Sequence, residues 1–281
     1  MLPNPEIYPF TIELATTTTE VHPTEAKAFA MLGDIYTIGV EKTKAREAYL
    51  KTCKLDNSEF KVWQQIVFLD SELDDNKSLA EHSSQALEIF PNQSIFWYFN
   101  GIANHMLKNH KEAAEALEQG KKLTADNPEM TLQFYTLLGD VYNSLKEYKK
   151  SSDAYEYVLT QDSSNAHVLN NYSYYLSLRN EDLEKAKKMS FKLIKRYPDN
   201  STYLDTYAWV LYKLKEYDDA AKYMEMALMG SSSGTLLEHY GDILFKKGDK
   251  EKAIEQWKKA KIAGGASELL DKKIAEQKLY E

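Results

Sequence analysis

Apolar residues return along this chain three and four positions apart, in stretches of about a dozen residues separated by short polar breaks. That spacing predicts amphipathic helices, each with one buried stripe, and no segment asks to be a strand. The stretches come in pairs, and the pairs are near copies. Leu32-Gly33-Asp34-Ile35-Tyr36 reappears as Leu138-Gly139-Asp140-Val141-Tyr142 and again as Tyr240-Gly241-Asp242-Ile243-Leu244. Twelve residues after each glycine stands a small side chain, Ala45, Ser151 or Ala253. A period of 34 residues then divides the chain into seven units at 26–59, 60–93, 94–127, 132–165, 166–200, 201–233 and 234–267. Only residues 128–131 fall between units, and the unit at 166–200 needs one inserted residue. Two helices of a hairpin cross closely where their side chains are small, which places Gly101 opposite Ala113, with bulky residues filling the space on either side. One hairpin cannot bury all of this apolar surface, so each must stack on the next, giving an all-α solenoid.

With these residues in register, the chain resembles the tetratricopeptide repeat (TPR) family, in its bacterial type, whose pattern has a bulky residue at position 4, a small one at 8, Ala at 20, an aromatic at 24 and Pro near 32. Position 4 holds Phe29, Trp63, Trp97, Tyr135, Leu169, Leu204 and Leu237, and position 20 holds Ala45, Ala113, Ala186, Ala220 and Ala253 among others. Tyr49, Tyr155 and Trp257 supply aromatics at position 24, and Pro91 and Pro198 close two units. The unit at 60–93 departs most, with Val67 for the small residue and Asp70 where the pattern has Tyr. The resemblance implies a right-handed superhelix in which positions 2, 5, 9 and 12 of each first helix line the concave wall. Read in this sequence, that wall offers Gln64, Phe68, Tyr98, Ile102, His105, Asp140, Asn143, Asn170, Tyr174, Asp205, Trp209, Tyr212, Glu238 and Asp242 as candidate partner-binding residues. Tyr98, Tyr174, Trp209 and Tyr212 are the candidate anchors, and Asn143, Asn170 and Asn171 suit a ligand backbone. Burial of some of these aromatics by neighbouring units is the competing expectation.

Five acids and no base occupy positions 5 and 9 (Asp34, Asp140, Asp205, Glu238 and Asp242), so the wall should favour a neutral or basic segment. Co-chaperone members of the family grip a C-terminal carboxylate with Lys at position 5, Asn at 9 and bases at 2 and 6 of a later unit. Position 5 here carries no Lys or Arg and position 9 no Asn, so that mode of binding is not expected.

The ends add detail. Residues 1–25 read as a partial repeat with only its second helix, over 11–22 and ending near Pro23. Met1-Leu2-Pro3-Asn4-Pro5 has neither the basic region nor the apolar core of a signal peptide. The half-repeat suggests the C-terminal piece of a longer repeat protein. At the other end Gly264-Gly265 should break the last hairpin, and residues 268–281 should form a charged capping helix running to Tyr280. Gly230-Ser231-Ser232-Ser233-Gly234 falls where a turn between units is due.

Composition narrows the function. With 43% hydrophobic and 28% charged residues the chain can build a packed core. Thirty-five bases against 43 acids give a net charge of −8, which is not the footprint of a nucleic-acid binder. No apolar run approaches the roughly 20 residues that span a bilayer. A single cysteine, Cys53, excludes an internal disulfide and reads as a small buried hydrophobe. The six histidines are scattered without metal-ligand spacing, and the acidic run Glu72-Leu73-Asp74-Asp75 lies at a helix–helix turn. No catalytic residue, metal or cofactor is expected. The expected function is a non-catalytic scaffold or adaptor that holds a protein or peptide on the concave face. The alternative is the interaction arm of a larger enzyme or membrane-anchored protein. Nothing in the sequence assigns a compartment or an oligomeric state.

Overall fold

The computed structural model describes residues 7–280. Residues 1–6 and Glu281 lie outside the described residues, and with them the opening Met1-Leu2-Pro3-Asn4-Pro5 segment. Sixteen helices run through the described residues: α1 (Tyr8–Val21), α2 (Ala26–Ile38), α3 (Lys42–Leu55), α4 (Phe60–Glu72), α5 (Asn76–Ile89), α6 (Ser94–Met106), α7 (His110–Lys121), α8 (Pro128–Ser144), α9 (Tyr148–Gln161), α10 (Ala166–Arg179), α11 (Leu183–Arg196), α12 (Ser201–Lys213), α13 (Tyr217–Gly230), α14 (Gly234–Lys247), α15 (Lys250–Ala263) and α16 (Leu270–Glu276). No strand occurs among them, and no helix among the described residues is long and apolar enough to cross a membrane. The chain divides into two compact units, Met1–Ala154 and Tyr155–Glu281, with the division inside α9.

Consecutive helices pair as hairpins from α2/α3 onward, and the turn inside each hairpin contains a residue in the left-handed region just after its first helix, with Asp182 a second one in the α10/α11 turn. Those just after the first helices are Val40, Asp74, Lys108, Lys146, Asn180, Lys215 and Gly248, the first three 34 residues apart. In the first of these turns Glu41 N donates to Tyr36 O at 2.9 Å, which satisfies a carbonyl that the end of α2 leaves open. Several helices start on side-chain caps: Asn127, Asn165 and Asn200 each accept the backbone N–H three residues on. Asn127 followed by Pro128 starts α8 early. Residues 128–131, expected to lie between repeats, are instead the first turn of that helix.

Both ends differ from expectation in length. Helix α1 begins at Tyr8, three residues before the expected start, because Pro9 is tolerated in its first turn. The capping helix is shorter than the expected 268–281: α16 covers only Leu270–Glu276. Ser267 cannot join it, since its N–H and Oγ are both tied to the Glu238 carboxylate at 2.7 and 2.5 Å. Gln277, at φ 50°, ends the helix on the other side. The serine-rich run at 230–234 is a turn. Gly230 ends α13, and Ser233 caps α14 by accepting from Leu236 N.

The close helix crossing is made differently from the sequence expectation. A methyl on Gly101 would lie 2.5 Å from Leu117, four residues beyond Ala113. Gly33 meets Tyr49 and Gly241 meets Trp257 in the same way. Position 8 is small because the large residue at position 24 lies across it. The divergent unit shows the inverse trade: Val67 takes position 8, and position 24 is reduced to Ser83. Both are fully buried. Asp70, the other departure in that unit, is buried between Arg46 Nη1 at 2.8 Å and His82 Nδ1 at 2.7 Å. Its negative charge is thereby compensated within the core.

Candidate partner-binding site

In the N-terminal unit the candidate residues stand on α4, α6 and α8. Gln64, Phe68, Tyr98, Ile102, His105 and Asn143 are half-buried, and Asp140 is buried. The aromatics are held by edge-to-face packing on buried rings, which fixes them without covering them. Phe68 meets Phe99 at 5.2 Å between centroids, and Tyr98 meets Phe134 at 5.5 Å. Burial and then Asp140 push the Tyr98 hydroxyl above its ordinary pKa. Burial lowers His105, against the pull of Asp140, so the neutral imidazole is favoured. The structure also brings His105 and His110 together, Nδ1 to Nδ1 at 3.2 Å, a pair that the sequence did not suggest. No group of three metal-ligating side chains assembles around them or elsewhere among the described residues.

In the C-terminal unit the picture changes. Trp209 and Tyr212, expected as exposed anchors, are only 6% and 3% exposed. Their rings stack at 4.7 Å, and His239 also stacks on Trp209 at 4.1 Å. The imidazole on the following first helix thus covers the indole. Trp209 Nε1 is buried with no hydrogen-bond partner, as is Asn170 Oδ1. Tyr174 remains half-buried and packs on the same cluster. Burial, then Asp205 and Glu238, raise its pKa. A cavity of about 450 Å³ opens here, lined by Tyr174, Leu178, Trp209, Lys213 and Tyr280 among others.

The acids that suggested a negatively charged wall are mostly engaged inside the protein. Asp205 accepts from His239 Nδ1 at 2.8 Å. Glu238 and Asp242 both grip Lys273, at 2.8 and 2.6 Å, and all three side chains are buried. Burial opposes the charge on His239, but Asp205, Asp242 and Glu238 outweigh it, and its pKa rises. Burial likewise works to raise Glu238, but Lys273 and Ser267 hold it below the ordinary carboxylate range. Burial pushes Asp242 up to about 6 in spite of Lys273 and Trp257. Two acids of the wall also serve the packing of their own hairpins. Tyr49 Oη donates to Asp34 at 2.6 Å, and Trp257 Nε1 donates to Asp242 at 2.8 Å. In these copies of the Gly-Asp motif the aspartate anchors the polar tip of the aromatic that fills the crossing.

Sequence reasoning missed His239 and Lys273 as partners of these acids, although a signal was present. Each base stands one repeat after its acid, 34 residues from Asp205 to His239 and 35 from Glu238 to Lys273. It also missed a cavity of about 740 Å³ in the N-terminal unit, beside Trp97, Glu118 and Tyr142. Trp97 is half-buried, with Nε1 donating to Pro91 O at 2.8 Å. The sequence assigned Trp97 to packing and Trp209 to the surface; in the structure Trp97 packs on the core while only half-buried, and Trp209 is the more deeply buried of the two. Trp209→Ala is therefore expected to cost about 3–5 kcal/mol, as a buried aromatic does, and Trp97→Ala less. Urea unfolding of the two variants checks the order.

Burial and then Asp56 push the thiol of the half-buried Cys53 up to about 12, which disfavours its thiolate.

Comparison with known proteins fits this geometry. Residues 132–165 match the family described as "Tetratricopeptide repeat". The chain is 24% identical over 264 residues to a TPR repeat-containing protein of Methanocaldococcus jannaschii, and 27% identical over 134 residues to one of Pseudomonas aeruginosa. The chain is thus similar to tetratricopeptide repeat proteins. The alignments take in 77% and 47% of this chain, which spans only 46% and 22% of these relatives. Among solved structures, a TPR protein of Parabacteroides merdae superposes with a TM-score of 0.72 at 13% identity, over 90% of this chain and 98% of that one. The APC/C hetero-tetramer Cut9–Hcn1 gives 0.70 at 12%, covering 96% of this chain and 52% of the other. Yeast Tom70 gives 0.56 at 17%, covering 97% and 58%. The fold is thus the all-α TPR solenoid, a scaffold type for protein–protein interaction.

Proposed function

We propose that this chain is a non-catalytic adaptor that holds an extended or helical segment of a partner protein on the walls formed by its first helices. The half-buried apolar side chains of the first helices carry this reading, with the edge-packed rings of Phe68 and Tyr98 beside Ile102 in one unit and Tyr174 beside the cavity in the other. Such rings keep one face for a ligand while their packing holds them rigid, which lowers the ordering cost of binding. Selectivity comes chiefly from shape and aromatic contact. With Asp205, Glu238 and Asp242 engaged and partly offset by His239 and Lys273, a neutral segment suits the C-terminal unit at least as well as a basic one. The Cut9–Hcn1 neighbour, a hetero-tetramer with a second protein, is in keeping with the adaptor reading. Because the chain spans less than half of its M. jannaschii relative, it also suits a second role, as the interaction arm of a larger protein.

The test is affinity capture from the source lysate with the natural chain and with a Tyr98→Ala/Tyr174→Ala variant of unchanged melting temperature. A partner held by the first and lost by the second is the expected result. A partner held equally by both places the binding surface elsewhere.

A further inference from the structure

The C-terminal unit buries two carboxylates around one ammonium. Glu238 and Asp242 of α14 both hold Lys273 of α16, at 2.8 and 2.6 Å. With both acids ionised, the triad carries one negative charge that Lys273 leaves unmatched, and burial makes that charge costly. The other described groups around it do not supply the missing positive charge. Asp205 of α12 and His239 of α14 pair with each other at 2.8 Å. Trp257 of α15 and Ser267 donate neutral hydrogen bonds. Tyr174 of α10 brings a neutral hydroxyl, whose ionisation is opposed by burial and then by Asp205 and Glu238. Lys213 of α12 lines the same cavity, but its ammonium lies over the rings of Trp209 and Tyr212, at 5.1 and 5.5 Å.

A proton is the remaining way to remove the excess, and the donors decide where it goes. Besides Lys273, Glu238 accepts from Ser267 N–H at 2.7 Å and Ser267 Oγ at 2.5 Å. Besides Lys273, Asp242 accepts from Trp257 Nε1 at 2.8 Å. The carboxylate with fewer neutral donors takes the proton. Asp242, pushed up to about 6 chiefly by burial, agrees. The triad also holds a wall. The cavity of about 450 Å³ beside Tyr174 and Trp209 is lined in part by Gly265, Ala266, Leu269 and Lys273, on α16 and the segment leading into it. Lys273, Ser267 and a hydrogen bond from Thr235 to Gly265 O at 2.9 Å tie this wall to α14.

We propose that Glu238, Asp242 and Lys273 form a proton-operated latch on the α16 wall of the cavity: one proton taken up in mildly acidic solution tightens the wall, and its loss toward neutrality loosens it. Opening α16 returns Asp242 to water, where an aspartate titrates near about 3.9. The closed form therefore keeps a proton that the open form gives up, between about pH 4 and about pH 6. Closing strengthens as pH falls through that window. Two neighbours act outside it. His239, whose burial is outweighed by Asp205, Asp242 and Glu238, gives its full stabilisation below 6.5 and loses it above. Glu238, whose burial is outweighed by Lys273 and Ser267, loses its stabilisation only below 4.5. The latch works without a partner, so its test is independent of the adaptor reading.

Hydrogen exchange of the α16 amides, corrected for the intrinsic pH dependence of exchange, reads the closing equilibrium. In the natural chain, protection should rise roughly five- to tenfold from about pH 6.5 to about pH 5, the slope of one bound proton. The α16 amides should exchange faster than those of α12 throughout, the sign that α16 opens by itself. Asp242→Asn fixes the uncharged state, so its protection should be flat over this window and already high at its upper end. Glu238→Gln removes the excess charge from the other acid and should also flatten the profile. His239→Gln should keep the rise. No rise in the natural chain, a rise that persists in Asp242→Asn or is lost in His239→Gln, or equal protection of α16 and α12 overturns the proposal. If a variant fails to fold, the profile of the natural chain decides on its own.

Discussion

Lys273→Ala is expected to destabilise the C-terminal unit by about 3–5 kcal/mol, the cost of leaving buried charge without its partner. Its ammonium is the shared counter-ion of Glu238 and Asp242, and all three side chains are 4–5% exposed. Without it, only the Trp257 hydrogen bond opposes the burial and the Glu238 charge that act on a carboxylate already raised to about 6, and water or a proton must enter the core. Lys273→Met combined with Glu238→Gln and Asp242→Asn should recover most of the loss. The amide oxygens still accept from Ser267 and Trp257, and no net charge remains buried. Chemical denaturation of the single and triple variants decides the matter. Equal loss in both would mean that Lys273 contributes by packing rather than by charge.

Gly101→Leu should cost about 3 kcal/mol, at the upper end for an overpacked core. Even its first carbon would sit 2.5 Å from Leu117, which is fully buried and cannot swing aside. The unit at 60–93 supplies the remedy, since it places Val67 and Ser83 at the equivalent positions. Gly101→Val/Leu117→Ser should therefore be more stable than Gly101→Val alone, although serine removes apolar volume. That sign of coupling, measured by thermal unfolding of the three proteins, distinguishes a steric trade from two independent losses.

The helices and their apolar stripes were legible because local spacing dictates them: Ala45 and Gly101 are small and Tyr49 is large in any register that buries the stripe. What one helix meets on its neighbour was less legible. Spacing alone set Gly101 against Ala113, whereas the crossing sets it under Leu117. The candidate wall suffered most. The positions of Asp205, Glu238 and Trp209 show which way they face, but their surroundings come from a residue about one repeat later. For Trp209 that residue is the ring of His239, and for Glu238 it is Lys273, on a segment outside the repeating pattern. Half-buried residues such as Phe68 and Tyr98 were easier, because their neighbours are apolar rings that the same spacing places beside them.

The pairing of an acid in one hairpin with a base in the next has a consequence for how this chain can change. A hairpin whose charges are completed by its neighbour is not an interchangeable brick. Deleting the hairpin α14/α15, or moving it elsewhere in the array, would strand Asp205 without His239 and leave Lys273 facing strangers. The apolar stripes alone would tolerate a reshuffled order; these charges write the order of the last repeats into the chain.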